Sequence, residues 1–386
     1  MGETERQRTR EQVVFLPGLN GIRTLAAFGV MISHITLQLS GYNLNFSLFG
    51  FKDGKVAGWT LGEHGVTMFF VLSGFLITFL LMKEKEKFNK IKVRQFYIRR
   101  VLRIWPLYYL YFFIAMGIIM LSSSYSASPW IVVTYMFFAA NIPFILEKTL
   151  LNLDHFWSIA VEEQFYLFWP LFFRIDEKKL MLLVSIIIGL LSIIRVTLWY
   201  FIPFSVPALF SVVNRFDCML FGALGAMLYY RKNNLFLKIA DNKVTQACAL
   251  GVLLLMIVNL FSFFNSILEI FVVNVMTLII IIGQINRKNR IVNFNNIVMD
   301  YLGKLSYGVY IIHILVLYTV ITLFNWSLIE NKYLMAALIY FTVIFVTVLL
   351  AHLSYNWFEK PFLKMKNRFA VIHSSGTKTF DTTVKT

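Results

Sequence analysis

The run VTMFFVLSGFLITFLLM, Val66 to Met82, carries no charge and gives way at Lys83 to KEKEK. With the residues from Leu61 onward it reaches the about 20 positions that a helix needs to span a hydrocarbon layer. Ten other segments come near that length: 22–40, 104–121, 130–146, 157–173, 180–201, 208–230, 244–263, 268–286, 305–324 and 333–356. Backbone at membrane depth has no water to bond, so these segments predict helices. The 386 residues are 58% hydrophobic and 15% charged, with a mean hydropathy of +0.69. Soluble domains carry about 25% charge, so both a soluble enzyme and a disordered chain are excluded. The expected fold class is all-α, a polytopic membrane helix bundle. One membrane-embedded domain is expected over 15–363, between an N-terminal segment 1–14 and a disordered tail 364–386.

The net charge of +16 reads as loop bias rather than as a nucleic-acid surface. If 130–146 does not cross, 29 Lys+Arg fall on one set of loops and 4 on the other; if it crosses, the split is 14 to 19. Basic residues resist export, so ten crossings are expected, with both termini cytoplasmic and 130–146 re-entrant or interfacial. Met1 to Gln12 is polar, so the first apolar segment is expected to stay in the protein. Cys218 and Cys248 are too few and too isolated for a disulfide framework, and no metal site is expected.

Ionisable side chains inside spanning helices cost about 2.5–3.5 kcal/mol each, which makes them functional candidates. Here they are His34, Glu162, Arg215, Asp217 and His313, expected at similar depths in the outer half. A histidine can take and return a proton, and a carboxylate can fix its tautomer; plain interhelical hydrogen bonds are the alternative. Glu163 points about 100° away from Glu162 and is a weaker candidate. His155, about two turns from Glu162, could join this site, whereas His64 is expected to be solvated. On the other side lies the basic stretch Lys83–Arg103, nine basic residues ending in Arg99, Arg100 and Arg103. Such a group can grip phosphates or act as a topology signal on lipid headgroups. Ser73 and Gly74 sit small among bulky neighbours, as a packing notch or as a gap for a thin ligand arm.

Taken in order, these stretches resemble the acyltransferase-3 family of bacterial membrane proteins. The matching elements are Arg23-x10-His34, the Phe69–Phe75 run FFVLSGF, and Arg99-Arg100-x-x-Arg103-Ile104. Further along come the WSIAVEEQFY stretch from Trp157 to Tyr166, Arg215-x-Asp217, LSYGVYIIH ending at His313, and Glu359-Lys360-Pro361. Asn20 stands where many members have Asp, a change expected to touch only the cap of the first helix. Many members carry an exported esterase-like domain; none is seen here, so transfer is expected to use this domain or a separate partner.

The resemblance implies transfer of an acyl group, usually acetyl, from cytoplasmic acyl-CoA to a hydroxyl of an extracytoplasmic or lipid-linked glycan, in the inner membrane. On the layout of charges above, Arg99, Arg100 and Arg103, with Arg23, are expected to bind the nucleotide phosphates while the pantetheine arm passes Ser73 and Gly74. His34 would be the general base, oriented by Glu162, with Arg215 at the oxyanion. The glycan or glycolipid acceptor, acyl-CoA and the bilayer are the expected partners; nucleic acid is not. Two other classes fit the buried charges, namely a proton-coupled transporter and a non-catalytic subunit of a glycan export system. Acyl-CoA consumption by the purified protein discriminates against both.

Overall fold

A computed structural model describes residues 13–41, 51–52, 55–56, 60–121, 128–257, 267–370 and 372–375. The helices are α1 (Leu19–Gly41), α2 (Thr60–Phe88), α3 (Val93–Leu121), α4 (Pro129–Met136) and α5 (Asn141–Ile145). Then come α6 (Phe156–Phe172), α7 (Glu177–Phe201), α8 (Val206–Val213), α9 (Phe216–Tyr230) and α10 (Asn234–Ala240). The last five are α11 (Lys243–Ile257), α12 (Ile267–Asn286), α13 (Ile297–Leu323), α14 (Lys332–Leu353) and α15 (Lys360–Arg368). A π-helical turn, Ser354–Glu359, joins α14 to α15. Strand pairing is minimal: β1 (Val13–Phe15) lies parallel to β4 (His373–Ser375), and β2 (Phe51–Lys52) lies antiparallel to β3 (Lys55–Val56). The end of the predicted 244–263 segment and residues 376–386 lie outside the described residues.

Among the described residues, eight helices are long and apolar enough to cross a membrane, or nine if α10 and α11, bent by 59°, form one span. The protein is therefore a membrane helix bundle. Segment 130–146 divides into α4 and α5, of 8 and 5 residues. At 1.5 Å per residue neither exceeds ~12 Å, far short of a crossing. The predicted 208–230 helix breaks at Asn214–Arg215, and Arg215 becomes the residue before α9. The predicted 104–121 helix instead begins eleven residues earlier, at Val93, so Arg99, Arg100 and Arg103 are all helical.

At the centre α9, α2, α1, α13 and α14 pack in a row. Close approach of α2 and α9 depends on two glycines. A Cβ on Gly74 would collide with the backbone carbonyl of Met219, and one on Gly222 with that of Val71. Gly74 is therefore the packing notch, while its neighbour Ser73, turned about 100° around the helix, faces another way. α1 runs antiparallel to α2, with Gly62 against Ser33 and Gly65 against Val30. It starts from a tight turn in which Gly18 takes φ +76°, a conformation that L side chains rarely adopt. Asp176 caps α7 by accepting the Lys178 and Lys179 amides (3.0 and 3.3 Å). The Lys179 amide is the main cause of that carboxyl sitting below its usual pKa.

The tail differs from its expected disorder over its first part, since 364–368 are helical in α15 and 373–375 pair with β1. Mutual hydrogen bonding of the two terminal segments supplies the order.

Candidate active site

One polar face of α6 organises the site. His155, Ser158, Glu162 and Tyr166 follow one another at three or four residues, so they line a single stripe. At one end of the stripe are three histidines. His313 Nδ1 lies 3.1 Å from the Val309 carbonyl, and its Nε2 lies 2.9 Å from His34 Nδ1. A carbonyl only accepts, so His313 carries its proton on Nδ1 and accepts from His34 at Nε2. His34 is thereby protonated on Nδ1 and presents the lone pair of Nε2. The two rings stack with centroids 5.1 Å apart. His155 packs 5.3 Å from His313 and donates from Nε2 to the Ile311 carbonyl at 3.1 Å. Its buried Nδ1 has no hydrogen-bond partner among the described residues.

Below this group, Tyr310 Oη is 2.5 Å from Ser158 Oγ, and its ring is 5.8 Å from His313. A cavity of about 80 Å³ ends at this pair. Its wall includes Ser73, Glu162 and Tyr166, then Arg23, Arg100 and Arg103. Ser73 donates to Glu162 Oε1 at 2.5 Å, and Tyr166 donates to the same oxygen. Arg100 lies over the Tyr166 ring, 5.5 Å from its centroid. A wider cavity of about 390 Å³ shares the wall residues Arg23, Leu76, Arg103 and Tyr307 with this one. The wider cavity is also lined by Lys304, Glu359 and Lys366. Arg100 and Arg103 make no ion pair among the described residues, while Arg23 donates only to Asn20 Oδ1 at 3.2 Å. Guanidinium groups without an ion-pair partner around a void make its potential positive.

Several predicted residues are elsewhere. Glu162 is committed to Ser73 and Tyr166, so the partner expected to orient His34 is His313 instead. Arg99 is off the cavity wall, donating to Glu84 Oε2 (3.2 Å) and the Phe369 carbonyl (2.9 Å). Gly74 faces α9. Arg215 is held by Thr67 Oγ1 (2.9 Å) and the Val212 and Glu63 carbonyls (2.8 and 3.3 Å). Asp217 pairs bidentately with Arg195 at 2.5 and 2.8 Å. His64, expected in solvent, is 5% exposed. Asn20 is not a cap: its amide donates to Asp300 at 2.7 Å while its oxygen accepts from Arg23. An Asp there would lose the donor and face Asp300. Tyr166, Tyr310 and Lys366 were missed. The three-four spacing back from Tyr166 to His155 could have found the first.

The acyltransferase-3 family model, described as an acyltransferase domain, matches residues 16–355. The chain belongs to the acyltransferase-3 family. Among curated relatives, a Staphylococcus aureus (strain COL) protein with a provisional O-acetyltransferase name is 27% identical, over 94% of this chain and 60% of its own length. The peptidoglycan O-acetyltransferase OatA of Listeria monocytogenes is 28% identical, over 93% of this chain and 57% of its own. The O-acetyltransferase OatA of S. aureus (strain NCTC 8325) is 26% identical, over 91% and 57%. This acyltransferase-3 chain thus spans about 60% of the length of the curated relatives it matches. No solved structure matches it.

Proposed function

We propose that this protein is a membrane O-acyltransferase that moves an acetyl group from cytoplasmic acetyl-CoA to a hydroxyl of an extracytoplasmic glycan such as peptidoglycan. The observation that carries the reading is an arginine-lined cavity that reaches Ser158 and Tyr310, with the Tyr310 ring 5.8 Å from His313, the histidine that fixes the lone pair of His34. Arg23 and His34 are eleven positions apart on one helix, ~16 Å along its axis, so phosphate grip and base stand at opposite ends of α1. Arg23, Arg100 and Arg103 bind the nucleotide phosphates; Ser73 and Glu162 contact the pantetheine arm. His34 Nε2 takes the proton of the acceptor hydroxyl, and that oxygen attacks the thioester carbonyl carbon. The C–S bond breaks, and the departing thiolate receives the proton from His34. His313 keeps His34 in the tautomer this requires, the service that a carboxylate performs in other sites.

The orientation that fits has both termini cytoplasmic and ten crossings: the eight long helices, the bent α10–α11 pair, and the 17-residue α6. In it α4 and α5 dip into or lie along the outer face of the inner membrane, and 15–363 is the membrane domain. The test uses the purified protein in lipid vesicles, with labelled acetyl-CoA on the mouth side and a glycan acceptor opposite. Transfer is expected to fall 10²–10⁴-fold in His34→Ala. Near-normal transfer by a correctly inserted His34→Ala would remove the histidine from the reaction.

A further inference from the structure

The family match ends at residue 355, yet the wall of the wider cavity does not. Leu363, Lys366 and Asn367 of α15 close it on one side. Residues 360–370 and 372–375 lie across this end of the bundle as a strap fixed at both ends. α15 packs against α3, and Arg99 donates to the Phe369 carbonyl at 2.9 Å. That guanidinium is itself held by Glu84, which also accepts the Lys92 amide at 2.7 Å. Past this anchor, β4 pairs with β1, the strand that leads into α1 and Arg23. Lys366 is half-buried and makes no hydrogen bond or ion pair among the described residues. It shares the cavity with Arg23, Arg103 and Lys304, of which Lys304 is held by Asp300 at 2.6 Å. Glu359 is the one acid among the described lining residues, and it accepts from Ser354 at 3.1 Å. Four cations thus line one void, three of them without an ion-pair partner among the described residues, with a single carboxylate on its wall. Like charges gathered in a partly desolvated site repel, and an anion between them relieves the repulsion.

We infer that Lys366 is a phosphate ligand, delivered by the C-terminal strap to close with Arg23 and Arg103 on a phosphate of the acyl donor. Arg99 is the positioning residue that pins the strap. This rests on the reading that the mouth takes the donor's phosphates. The full chain in nanodiscs is assayed with acetyl-CoA and with acetyl-pantetheine, which lacks the nucleotide phosphates. In Lys366→Gln the preference for acetyl-CoA is expected to fall about tenfold through KM, the loss of one charged hydrogen bond, and Lys366→Arg is expected to restore most of it. Arg99→Gln is expected to lower the same preference by a smaller factor, again through KM, whereas a purely structural role would lower kcat for both donors alike. If Lys366→Gln keeps the preference, or loses activity equally on both donors, while Arg103→Gln loses the preference, Lys366 is not a ligand and the mouth still is. If neither Lys366→Gln nor Arg103→Gln changes it, the mouth does not hold donor phosphates, and the proposed function falls as well.

Discussion

Arg195 and Asp217 meet at 2.5 and 2.8 Å between α7 and α9, their side chains 4% and 2% exposed. Arg100 and Arg103 sit equally deep in the sequence of a spanning helix but face a cavity, without a carboxylate paired to either among the described residues. An arginine inside an apolar helix does not show in the sequence which of these two situations it occupies. The first spends its charges on each other, and Arg195 also donates to the Ser211 carbonyl of α8 at 3.0 Å, so α7 is tied to both sides of the break between α8 and α9. The second leaves its charges available. A buried ion in a membrane protein is therefore a functional candidate only until its partners are known, and geometry sorts binding groups from struts.

Removing one half of the closed pair should do the most damage. Asp217→Ala strands Arg195 in the interior, and the expected loss is about 3–5 kcal/mol, read by thermal unfolding in detergent micelles. The double change Arg195→Met with Asp217→Leu should recover much of it; if the single variant unfolds like the wild type, the pair is not a strut. Next comes the α2–α9 crossing beside it. Gly222→Ala forces a methyl against the Val71 carbonyl and the Phe75 amide, and should cost about 1–3 kcal/mol. A wild-type melting temperature would show that the helices separate freely there, and would reopen Gly74 as part of a passage. The open group should behave in the opposite manner. Arg100→Gln removes a cation from among like charges, so stability should stay within about 0.5 kcal/mol while acetyl-CoA binding, followed by calorimetry, weakens. A large drop in stability with binding intact would place Arg100 with the struts.

Legibility in the sequence divides along the same line. Periodicity and the absence of charge located the helices, and loop charge counted against a crossing at 130–146, which forms only two short helices. Arg100 and Arg103 stood out because basic residues rarely enter a helix of this kind without cause, and the structure puts them with Arg23 on one cavity wall. Arg99 was indistinguishable from them until its guanidinium was seen on Glu84 and Phe369. His34 and His313 were readable as intramembrane histidines, yet the pairing of one with the other was not, because 279 positions separate them. Glu162 looked like the natural partner for His34, since a carboxylate commonly holds an imidazole; its nearer donors, Ser73 and Tyr166, satisfied it first.

By itself the sequence determined that this chain lives in a membrane as helices, which end of those helices is basic, and which residue types are available for acid–base work. Those are properties of single segments, set by transfer free energies and by the helical repeat. Tertiary structure alone decided who meets whom: that His313 fixes the tautomer of His34, that Asp217 belongs to Arg195, and that Lys366 arrives at the mouth from beyond the last long helix. Hydrogen bonds and ion pairs act over about 3 Å, and only packing brings distant positions within that range.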